Sequence, residues 1–356
     1  MVTLEKIYSR IIELEEEMKK VTIKDVALKT GLSVSSISRV FNNYGDISAE
    51  TIKKVTLAAK ELGYTPNSAA KQLSSKKKKI IALILNEINV TRGVAMPLEI
   101  LGGVVDNLDK TDYEFVFYAT NSKKQNQKSL RQFCNERDIT GLIIQGLRIS
   151  DPYYQELETF DLPTVAIDLD IKNEKVGTVS TDNTKAAFEM TQLLDKAGYQ
   201  NILFLNGTKT ATVAQAREAG YREAVDNAQV YYANFSENEA CKWAIDYAKM
   251  NNFNKIDAIF AASDLMAIGV IKAFRMLDLE KNIAVAGFDD ITLASYVTPS
   301  LTTVRQDMGK ISEYAVKDLI RQIEKDEIKH RFVPYQIIER ESARLTTDKI
   351  NTKFEA

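Results

Sequence analysis

The sequence predicts an α/β fold in which a three-helix head precedes two subdomains, each built on a doubly wound parallel sheet. Two short helical segments joined at a glycine lie near the amino terminus, as in a helix-turn-helix. A lysine-rich stretch follows this head. From Ile80 onward, near-continuous apolar runs alternate with helical stretches, which is typical of parallel strands covered on both faces.

The first two helices are predicted from their caps. Thr22 is a favourable N-cap for a helix over 23–30, and Gly31 supplies the turn into Ser33, the next N-cap. One side of the second helix has apolar residues at helical spacing that should face a small core: Val34, Ile37, Val40 and Phe41. The other side has short polar groups that can approach nucleic acid: Ser35, Ser36, Ser38, Arg39 and Asn42. A helical hairpin inside a larger all-α core is the alternative that these residues leave open.

The third helix and the hinge complete the predicted head. Ser48 caps a helix over 49–62 that ends at Gly63, with apolar positions at Ile52, Val55, Leu57, Ala58 and Leu62. Residues 67–79 are predicted to form a hinge, in which a short helix is followed by four lysines. Because this helix is too short to be stable alone, we expect it to become ordered only when it binds DNA. A flexible basic linker is the alternative.

Charge is distributed unevenly along the chain. Residues 18–79 contain 13 lysines and arginines but only four acids, although the whole chain has a formal net charge of −2. A basic head on an acidic body predicts a nucleic-acid partner for the head. No apolar run approaches the ~20 residues of a membrane span. Cys134 and Cys241 are expected to be small buried residues of a protein in a reducing cytoplasm.

Residues 1–20 precede the head and allow two interpretations. Apolar residues at spacings of three and four predict an amphipathic helix: Leu4, Ile7, Ile11, Leu14 and Met18. Alternatively, translation starts at Met18, and the preceding codons are not part of the protein. Residues 347–356 are expected to form a tail.

Ten apolar runs predict the strands of the larger region. They fall into two groups: 80–85, 115–119, 141–145, 164–168 and 179–182, then 202–207, 230–235, 258–263, 283–288 and 302–306. Because ten strands are many for one open sheet, two subdomains are predicted. Ligands bind such sheets at the carboxyl ends of the strands, here in the cleft between subdomains.

Several motifs occur in one order: VTIKDVALKTGLSVSSISRVFN, ELGYTPNSAAKQL, AREAGY, ASDLMAIG, VAGFDD and LTTVRQD. Together they make residues 21 to about 346 resemble the lactose-repressor (LacI/GalR) family of bacterial transcription regulators. The resemblance implies a homodimer that represses carbohydrate-utilisation genes at a palindromic double-stranded DNA operator and is released by a sugar or sugar derivative. It implies no cofactor, and a protein of the bacterial cytoplasm associated with the nucleoid.

The resemblance also implies domain limits. The helix-turn-helix domain would cover 21–66, and an effector-binding and dimerisation domain of periplasmic-binding-protein type would cover 80–346. Its two subdomains would be interleaved, with crossings near Ser180, Gln306 and Phe332.

By the same resemblance, base edges would be contacted by Val34, Ser35 and Arg39. Phosphates would be contacted by Thr22, Ser33, Ser38, Asn42, Ser48 and Thr51. The hinge would contact DNA through Asn67, Ala70 and Leu73, with Leu73 inserted into the minor groove. Val34 departs from a polar base-contacting residue and could only touch a thymine methyl group.

For the effector, the resemblance implies Arg217 and Asp289 on opposite walls of the cleft, with Asp168 and Ser263 nearby. Charged groups of this kind suit a polyol, since each makes two charge-assisted hydrogen bonds. The alternatives are a helix cap for Asp289 and a surface ion pair for Arg217. Residues 86–97 lack the aromatic residue that many family members place at the cleft floor, so the ligand class stays open. The tail has no leucine heptads, which favours a dimer.

Three other functions are alternatives to a sugar-released repressor. An enzyme is poorly supported, because His330 is the only histidine and neither a G-x-S-x-G nor a Walker-type motif occurs, so no catalytic or metal site is expected. A transport solute-binding protein would need a secretion signal and no DNA-binding head. The remaining alternative is a corepressor-dependent regulator activated by a purine or by a phosphorylated protein partner.

Overall fold

The computed structural model describes residues 21–41, 47–64, 79–87, 95–251, 253, 255–279 and 283–345. They form two compact units, one within 21–64 and one within 79–345. The helix or alternative start proposed for residues 1–20, the hinge residues Asn67, Ala70 and Leu73, and the tail at 347–356 lie outside the described residues. Asn42 also lies outside them.

The head contains three helices, which confirms the prediction. They are α1 (Ile23–Thr30), α2 (Val34–Phe41) and α3 (Ala49–Leu62). Gly31 and Gly63 end α1 and α3 in the left-handed conformation, with φ of 68° and 66°, which a glycine adopts without steric cost.

The core of the head differs in part from the predicted set. Ile37 and Val40 of α2 are buried as predicted, but Val34 is 41% exposed. Ile52 and Leu57 of α3 are also exposed, and Ala59 takes a core position. The buried residues of α3 form a narrow stripe of Val55, Ala58 and Ala59, so apolar residues at the edges of this stripe face solvent.

The first subdomain is built on a sheet of parallel strands in the order β11-β5-β4-β3-β1-β2. Its strands are β1 (Ile80–Asn86), β2 (Glu114–Thr120), β3 (Gly141–Gln145), β4 (Thr164–Ile167), β5 (Val176–Thr181) and β11 (His330–Val333). Its helices are α4 (Ala95–Leu108), α5 (Ser122–Gln125), α6 (Leu130–Asn135) and α7 (Pro152–Leu157).

Side chains of β1 alternate between the two faces of this sheet. Ile81, Leu83 and Leu85 pack on one face with α4, whereas Ala82 and Ile84 pack on the other with α6 and α7. Both faces are therefore buried, which explains the continuous apolar run at 80–85. Cys134 lies in the second of these layers as a buried free thiol, as predicted, and Cys241 is likewise buried in the second subdomain.

The second subdomain is built on a sheet in the order β12-β10-β9-β8-β6-β7. Its strands are β6 (Ile202–Asn206), β7 (Gln229–Tyr232), β8 (Ala258–Ala261), β9 (Ala284–Asp289), β10 (Thr302–Arg305) and β12 (Gln336–Ile338). Its helices are α8 (Asn183–Lys196), α9 (Thr212–Ala224), α10 (Glu237–Asn251), α11 (Asp264–Met276) and the 3-10 helix Thr292–Ser295.

All ten predicted runs contain a strand, so the predicted class of paired α/β subdomains is confirmed. Two strands were missed, β11 and β12, because they are only four and three residues long and largely exposed. β12 pairs antiparallel to β10, an exception to the parallel arrangement.

The chain passes between the two subdomains at three places. It leaves the first sheet after β5, and it returns after β10 to form α12 (Met308–Lys325), which packs on the first sheet. It crosses again between β11 and β12. None of the described helices is both long and apolar enough to cross a bilayer.

The close packing of α9 on α8 at Gly220 can be tested by substitution. A Cβ at Gly220 would overlap the backbone carbonyl of Thr184 and lie 2.9 Å from the Phe188 nitrogen. Backbone atoms cannot move aside as a flexible side chain does. Gly220→Ala should therefore lower the free energy of unfolding by ~1 to 3 kcal/mol or more. Urea unfolding followed by fluorescence of Trp243, the only tryptophan, measures this.

The matched control is Glu223→Ala, which introduces the same side chain on the exposed side of α9. It should change stability by no more than ~0.5 kcal/mol. Equal unfolding midpoints for both variants would contradict the close packing at Gly220.

Candidate functional site

Each helix of the head begins at an exposed hydroxyl residue. The Thr22 hydroxyl and backbone N–H both donate to Asp25, at 2.7 and 2.8 Å. Ser33 accepts from the N–H of Ser36 at 3.1 Å, and Ser48 accepts from the N–H of Thr51 at 3.2 Å. Helix amino ends with hydroxyl groups are suited to phosphate oxygens. The proposed phosphate contacts of Thr22, Ser33, Ser48 and Thr51 are thus sterically accessible and stay predictions.

The outer side of α2 has the proposed base-contacting residues. Val34, Ser35 and Arg39 are exposed, and Ser38 is half-buried. The exposure of Val34 corrects its predicted place in the core and is compatible with an apolar contact to a thymine methyl group. Their contacts with DNA stay predictions.

A cavity of about 470 Å³ lies at the carboxyl ends of the parallel strands of both subdomains. The first subdomain contributes the residues that follow β1, β3 and β4, and the second contributes those that follow β9 and begin α9 and α11. This is the position where doubly wound sheets bind ligands. All four proposed effector residues line it: Asp168, Arg217, Ser263 and Asp289.

Arg217 on α9 is only 3% exposed and is held by protein acceptors. Its Nε donates to Asn183 Oδ1 at 2.8 Å, and its Nη1 donates to the carbonyl of Ala262 at 2.6 Å. The guanidinium carbon lies 3.6 Å from the centre of the Phe288 ring. Burial lowers the pKa of Arg217, while Asp289 opposes this. The orientation of the guanidinium is therefore set by the fold.

Asp289, at the end of β9, lies beside Arg217 and not across the cleft from it. Arg217 Nη1 and Asp289 Oδ1 are 3.7 Å apart, and Gln306 Nε2 donates to Asp289 Oδ1 at 2.9 Å. The predicted placement on opposite walls is wrong, because α9 and β9 belong to the same subdomain and meet at one edge of its sheet. Burial raises the pKa of Asp289 to about 7, although Arg217 opposes the rise.

Asp168 provides the facing carboxylate, since it follows β4 of the first subdomain. Its Oδ1 accepts from Ser180 Oγ at 2.7 Å, and its φ of 56° is unusual for a residue other than glycine. Burial raises the pKa of Asp168, and the Ser180 hydrogen bond opposes this. Asp168 is thus a charged residue that the first subdomain contributes to the cavity that Arg217 and Asp289 line.

The remaining predicted residue, Ser263, caps α11 by accepting from the N–H of Met266 at 3.4 Å. Neither alternative role holds for the charged residues. Arg217 is too buried for a surface ion pair, and the 3-10 helix after Asp289 has no side-chain cap. Asp264 supports that turn instead, by accepting from the N–H of Ile291 at 2.9 Å.

Hydrogen bonds connect the cavity to the crossing segments. Asn183, which holds Arg217, donates through Nδ2 to Ser180 Oγ at 3.2 Å, and Ser180 donates to Asp168. Two further bonds join the subdomains directly. The N–H of Ile149 donates to Thr210 O at 2.9 Å, and Thr212 Oγ1 donates to Asp168 O at 3.0 Å.

The other charged and aromatic residues that line the cavity were not predicted from the sequence. Glu87 and Arg148 follow β1 and β3 and form an ion pair, and Phe235 packs its ring over Gly207. Glu87 lies two residues after the apolar run 80–85, and Arg148 lies three residues after the run 141–145, which is a usable signal for a residue at the carboxyl end of a strand. Phe235 had been assigned to a strand that in fact ends at Tyr232.

No grouping of three potential metal-ligating His, Cys, Asp or Glu side chains occurs within the ranges that the structure describes. His330 lies on β11 with its Nδ1 3.0 Å from Thr178 Oγ1, and it is not among the residues that line the cavity.

Both the head and the α/β region of the chain match known protein families. Residues 22–67 match the family described as bacterial regulatory proteins, lacI family, and residues 191–343 match a periplasmic binding protein-like domain. A ribose operon repressor from Halalkalibacterium halodurans is 32% identical over 331 residues, which cover 91% of this chain and 97% of that protein.

Solved structures show the same fold. The complex of the transcriptional regulator CelR with cellobiose has a TM-score of 0.67 at 25% identity, covering 91% of this chain and 100% of that one. The lac repressor dimer bound to operator and the anti-inducer ONPF has a TM-score of 0.79 at 23% identity, covering 91% and 99%. The chain therefore belongs to the lacI family of bacterial regulatory proteins and is a DNA-binding transcription regulator.

Proposed function

We propose that this regulator represses carbohydrate-utilisation genes as a homodimer in the bacterial cytoplasm, and that a sugar or sugar derivative releases it from a palindromic operator. The observation that carries the proposal is the buried Arg217–Asp289 pair in a cavity that also receives Asp168 from the other subdomain. The ribose operon repressor and the CelR complex with cellobiose give further support, since both are relatives whose names refer to carbohydrates.

The chemistry of the cavity suits a polyol. Hydroxyl groups both donate and accept, so they match a guanidinium beside carboxylates. Two N–H groups of Arg217 are already engaged by protein, while its Nη2 donates to no acceptor among the described residues. Phe235 adds an apolar ring for the carbon face of a sugar.

The positions of Asp168, Arg217 and Asp289 suggest how effector binding is coupled to DNA binding. A ligand bound to Asp168 and to Arg217 or Asp289 joins the two subdomains, and so favours one relative orientation of them. Asn183, Ser180 and Gln306 connect the same residues to the crossing segments. An inducer must then bind the released state more tightly than the operator-bound state, by about 1 to 3 kcal/mol of coupling.

A thermal-shift screen of sugars, followed by operator titration with each ligand found, tests the proposal. A sugar that stabilises the protein and weakens operator binding supports it. A purine or phosphoprotein that strengthens operator binding would support corepression instead.

Arg217→Ala should produce a repressor that cannot be induced. The change removes the central donor of the cavity, so sugar binding should weaken at least ~100-fold while operator affinity changes little. Operator binding with and without the sugar, measured by fluorescence anisotropy, separates the two effects.

The matched control is Arg222→Ala on the same helix, where the arginine is exposed and pairs with Glu218 at the surface. It should be induced normally. An Arg217→Ala protein that still releases DNA at the usual sugar concentration would place the effector site elsewhere.

Arg39→Ala tests base recognition by α2. If Arg39 contacts a guanine, the change should cost ~1 to 3 kcal/mol on an operator selected from random DNA and much less on unrelated DNA. Lys76→Ala, which removes a charge from the predicted basic linker, should weaken both DNAs alike and slightly flatten the salt dependence. Equal losses on both DNAs for Arg39→Ala would remove it from sequence recognition.

Sugar affinity should depend on pH through Asp289. Because its pKa is raised to about 7, the carboxyl group is partly protonated at neutral pH. Sugar hydroxyls that donate to the carboxylate favour the ionised form, so binding releases a proton. Affinity should rise about tenfold from pH 6 to pH 8. Calorimetry in buffers of different ionisation enthalpy measures the released proton, and a flat pH profile without proton release would contradict this role.

A further inference from the structure

The two hydrogen bonds that cross the cleft join residues whose subdomains must move relative to each other. The backbone N–H of Ile149, in the loop after β3, donates to the Thr210 carbonyl at 2.9 Å. The Thr212 hydroxyl, at the start of α9, donates to the Asp168 carbonyl at 3.0 Å. Both bonds therefore depend on the relative orientation of the subdomains. The orientation in which both are formed is called the closed orientation below.

The hydroxyl of Thr212 serves this contact between subdomains. Helix α9 begins at Thr212, and Ala211 before it provides no side-chain cap. Threonine hydroxyls at helix starts commonly accept from an N–H group of their own helix. The Thr212 hydroxyl instead donates to a carbonyl of the other subdomain. A side chain that reaches across the cleft in this way contacts its partner only when the cleft is closed.

The partner of Thr212 is one of the proposed effector residues, Asp168, which is held at three points. Its N–H donates to the Val179 carbonyl at 3.1 Å, its carboxylate accepts from Ser180, and its carbonyl accepts from Thr212. Its φ of 56° lies in the left-handed region, where an aspartate persists only if surrounding contacts determine its conformation. Thr212 provides one of these contacts, and it is the one that comes from the second subdomain.

The loop that carries Ile149 is fixed by its own subdomain. Asp151 Oδ2 accepts from the Arg148 N–H at 2.8 Å and from Asn86 Nδ2 at 2.9 Å, and its Oδ1 accepts from Ser122 Oγ at 2.7 Å. Asp151 and Asn86 are both buried. The Ile149 N–H is therefore presented by an ordered loop.

The facing loop is also ordered from within its own subdomain. Asn206 Oδ1 accepts from the Gly207 N–H at 2.7 Å, and Asn206 Nδ2 donates to the Ala214 carbonyl at 3.1 Å. The Ala211 N–H donates to the Thr208 carbonyl at 2.9 Å. Since both loops are ordered before they meet, closing the cleft loses little conformational entropy.

We propose that Thr212 is a positioning residue for the effector: with the Ile149–Thr210 bond, it stabilises the closed orientation and holds Asp168 in place. A ligand that binds Asp168 together with Arg217 or Asp289 requires the closed orientation, so its apparent affinity depends on how often the protein adopts it. Thr212 thus lowers the effector concentration that releases DNA. This role in induction rests on the proposed function, whereas the bonds across the cleft are features of the fold.

Thr212→Val tests the contact itself, because it removes the hydroxyl and keeps the shape of the side chain. The closed orientation should then open more often, and the Ile149 amide should exchange with solvent about two- to tenfold faster, as the net loss of one hydrogen bond predicts. Hydrogen–deuterium exchange of the full chain without sugar, followed by mass spectrometry over residues 146–150, measures the rate. An exchange rate equal to that of the wild type would overturn the proposal.

Sugar binding by the same variant tests the consequence for induction. With a sugar that binds the wild type in the thermal-shift screen, starting with D-ribose and cellobiose, the affinity of Thr212→Val should fall about threefold or more. The sugar concentration that releases half of the operator should rise by the same factor. If affinity falls while exchange at Ile149 is unchanged, Thr212 contacts the sugar directly and the positioning role is wrong.

Three further variants separate the hydroxyl from other effects of substitution. Thr212→Ser keeps the hydroxyl, so exchange and affinity should both stay within about twofold of the wild type, and a serine variant that behaves like Thr212→Val would contradict the role of the hydroxyl. Thr159→Val makes the same chemical change at an exposed threonine away from the cavity and should alter neither quantity. Thr212→Ala replaces Thr212→Val if that variant unfolds.

The two readouts also separate this proposal from the proposed function. If no sugar of the screen binds the wild type or releases DNA, the proposed function fails. The exchange rate at Ile149 still decides whether Thr212 stabilises the closed orientation, because it is measured without sugar.

Discussion

The burial of the Arg217 guanidinium is the constraint on which the rest of the cleft depends. Removing a cation from water costs several kcal/mol, so the fold must surround it with acceptors. Asn183, the Ala262 carbonyl and Asp289 provide them from three different elements, and Phe288 offers its ring face. Because each contact requires a short distance, the ends of β8 and β9 and the start of α8 are positioned around α9. The site is therefore organised by the protein alone.

The same contacts extend to the segments where the chain passes between subdomains. Asn183 connects Arg217 to Ser180 and through it to Asp168, while Gln306 connects Asp289 to the return crossing. Groups that would hold an effector are thus hydrogen-bonded to the segments that must move when the subdomains rotate. A regulator controlled by an effector needs such an arrangement, because a ligand changes DNA binding only through a difference in its affinity for two states of the protein.

Positive charge serves two different purposes in the two units. In the head, basic side chains outnumber acids, and hydroxyl groups are exposed at helix amino ends, which suits phosphates of DNA. In the cavity, Arg148 and Arg217 each lie beside a carboxylate. The two described arginines of the cavity are thus charge-paired within the protein, whereas the head has an excess of basic side chains.

The limits of the head helices and the positions of ten strands were determined by the sequence itself, because caps such as Thr22 and Ser48, terminal glycines and apolar runs act over a few residues. The presence of charge at the carboxyl ends of strands was also visible, in Asp168 and Asp289. Only the tertiary structure decided which residues meet. Arg217 and Asp289 lie on one wall of the cavity because α9 and β9 belong to the same subdomain. Glu87 pairs with Arg148, which is 61 residues away, because β1 and β3 are neighbours in the sheet. Strand order arises from packing between distant segments, so no local pattern in the sequence specifies these pairs.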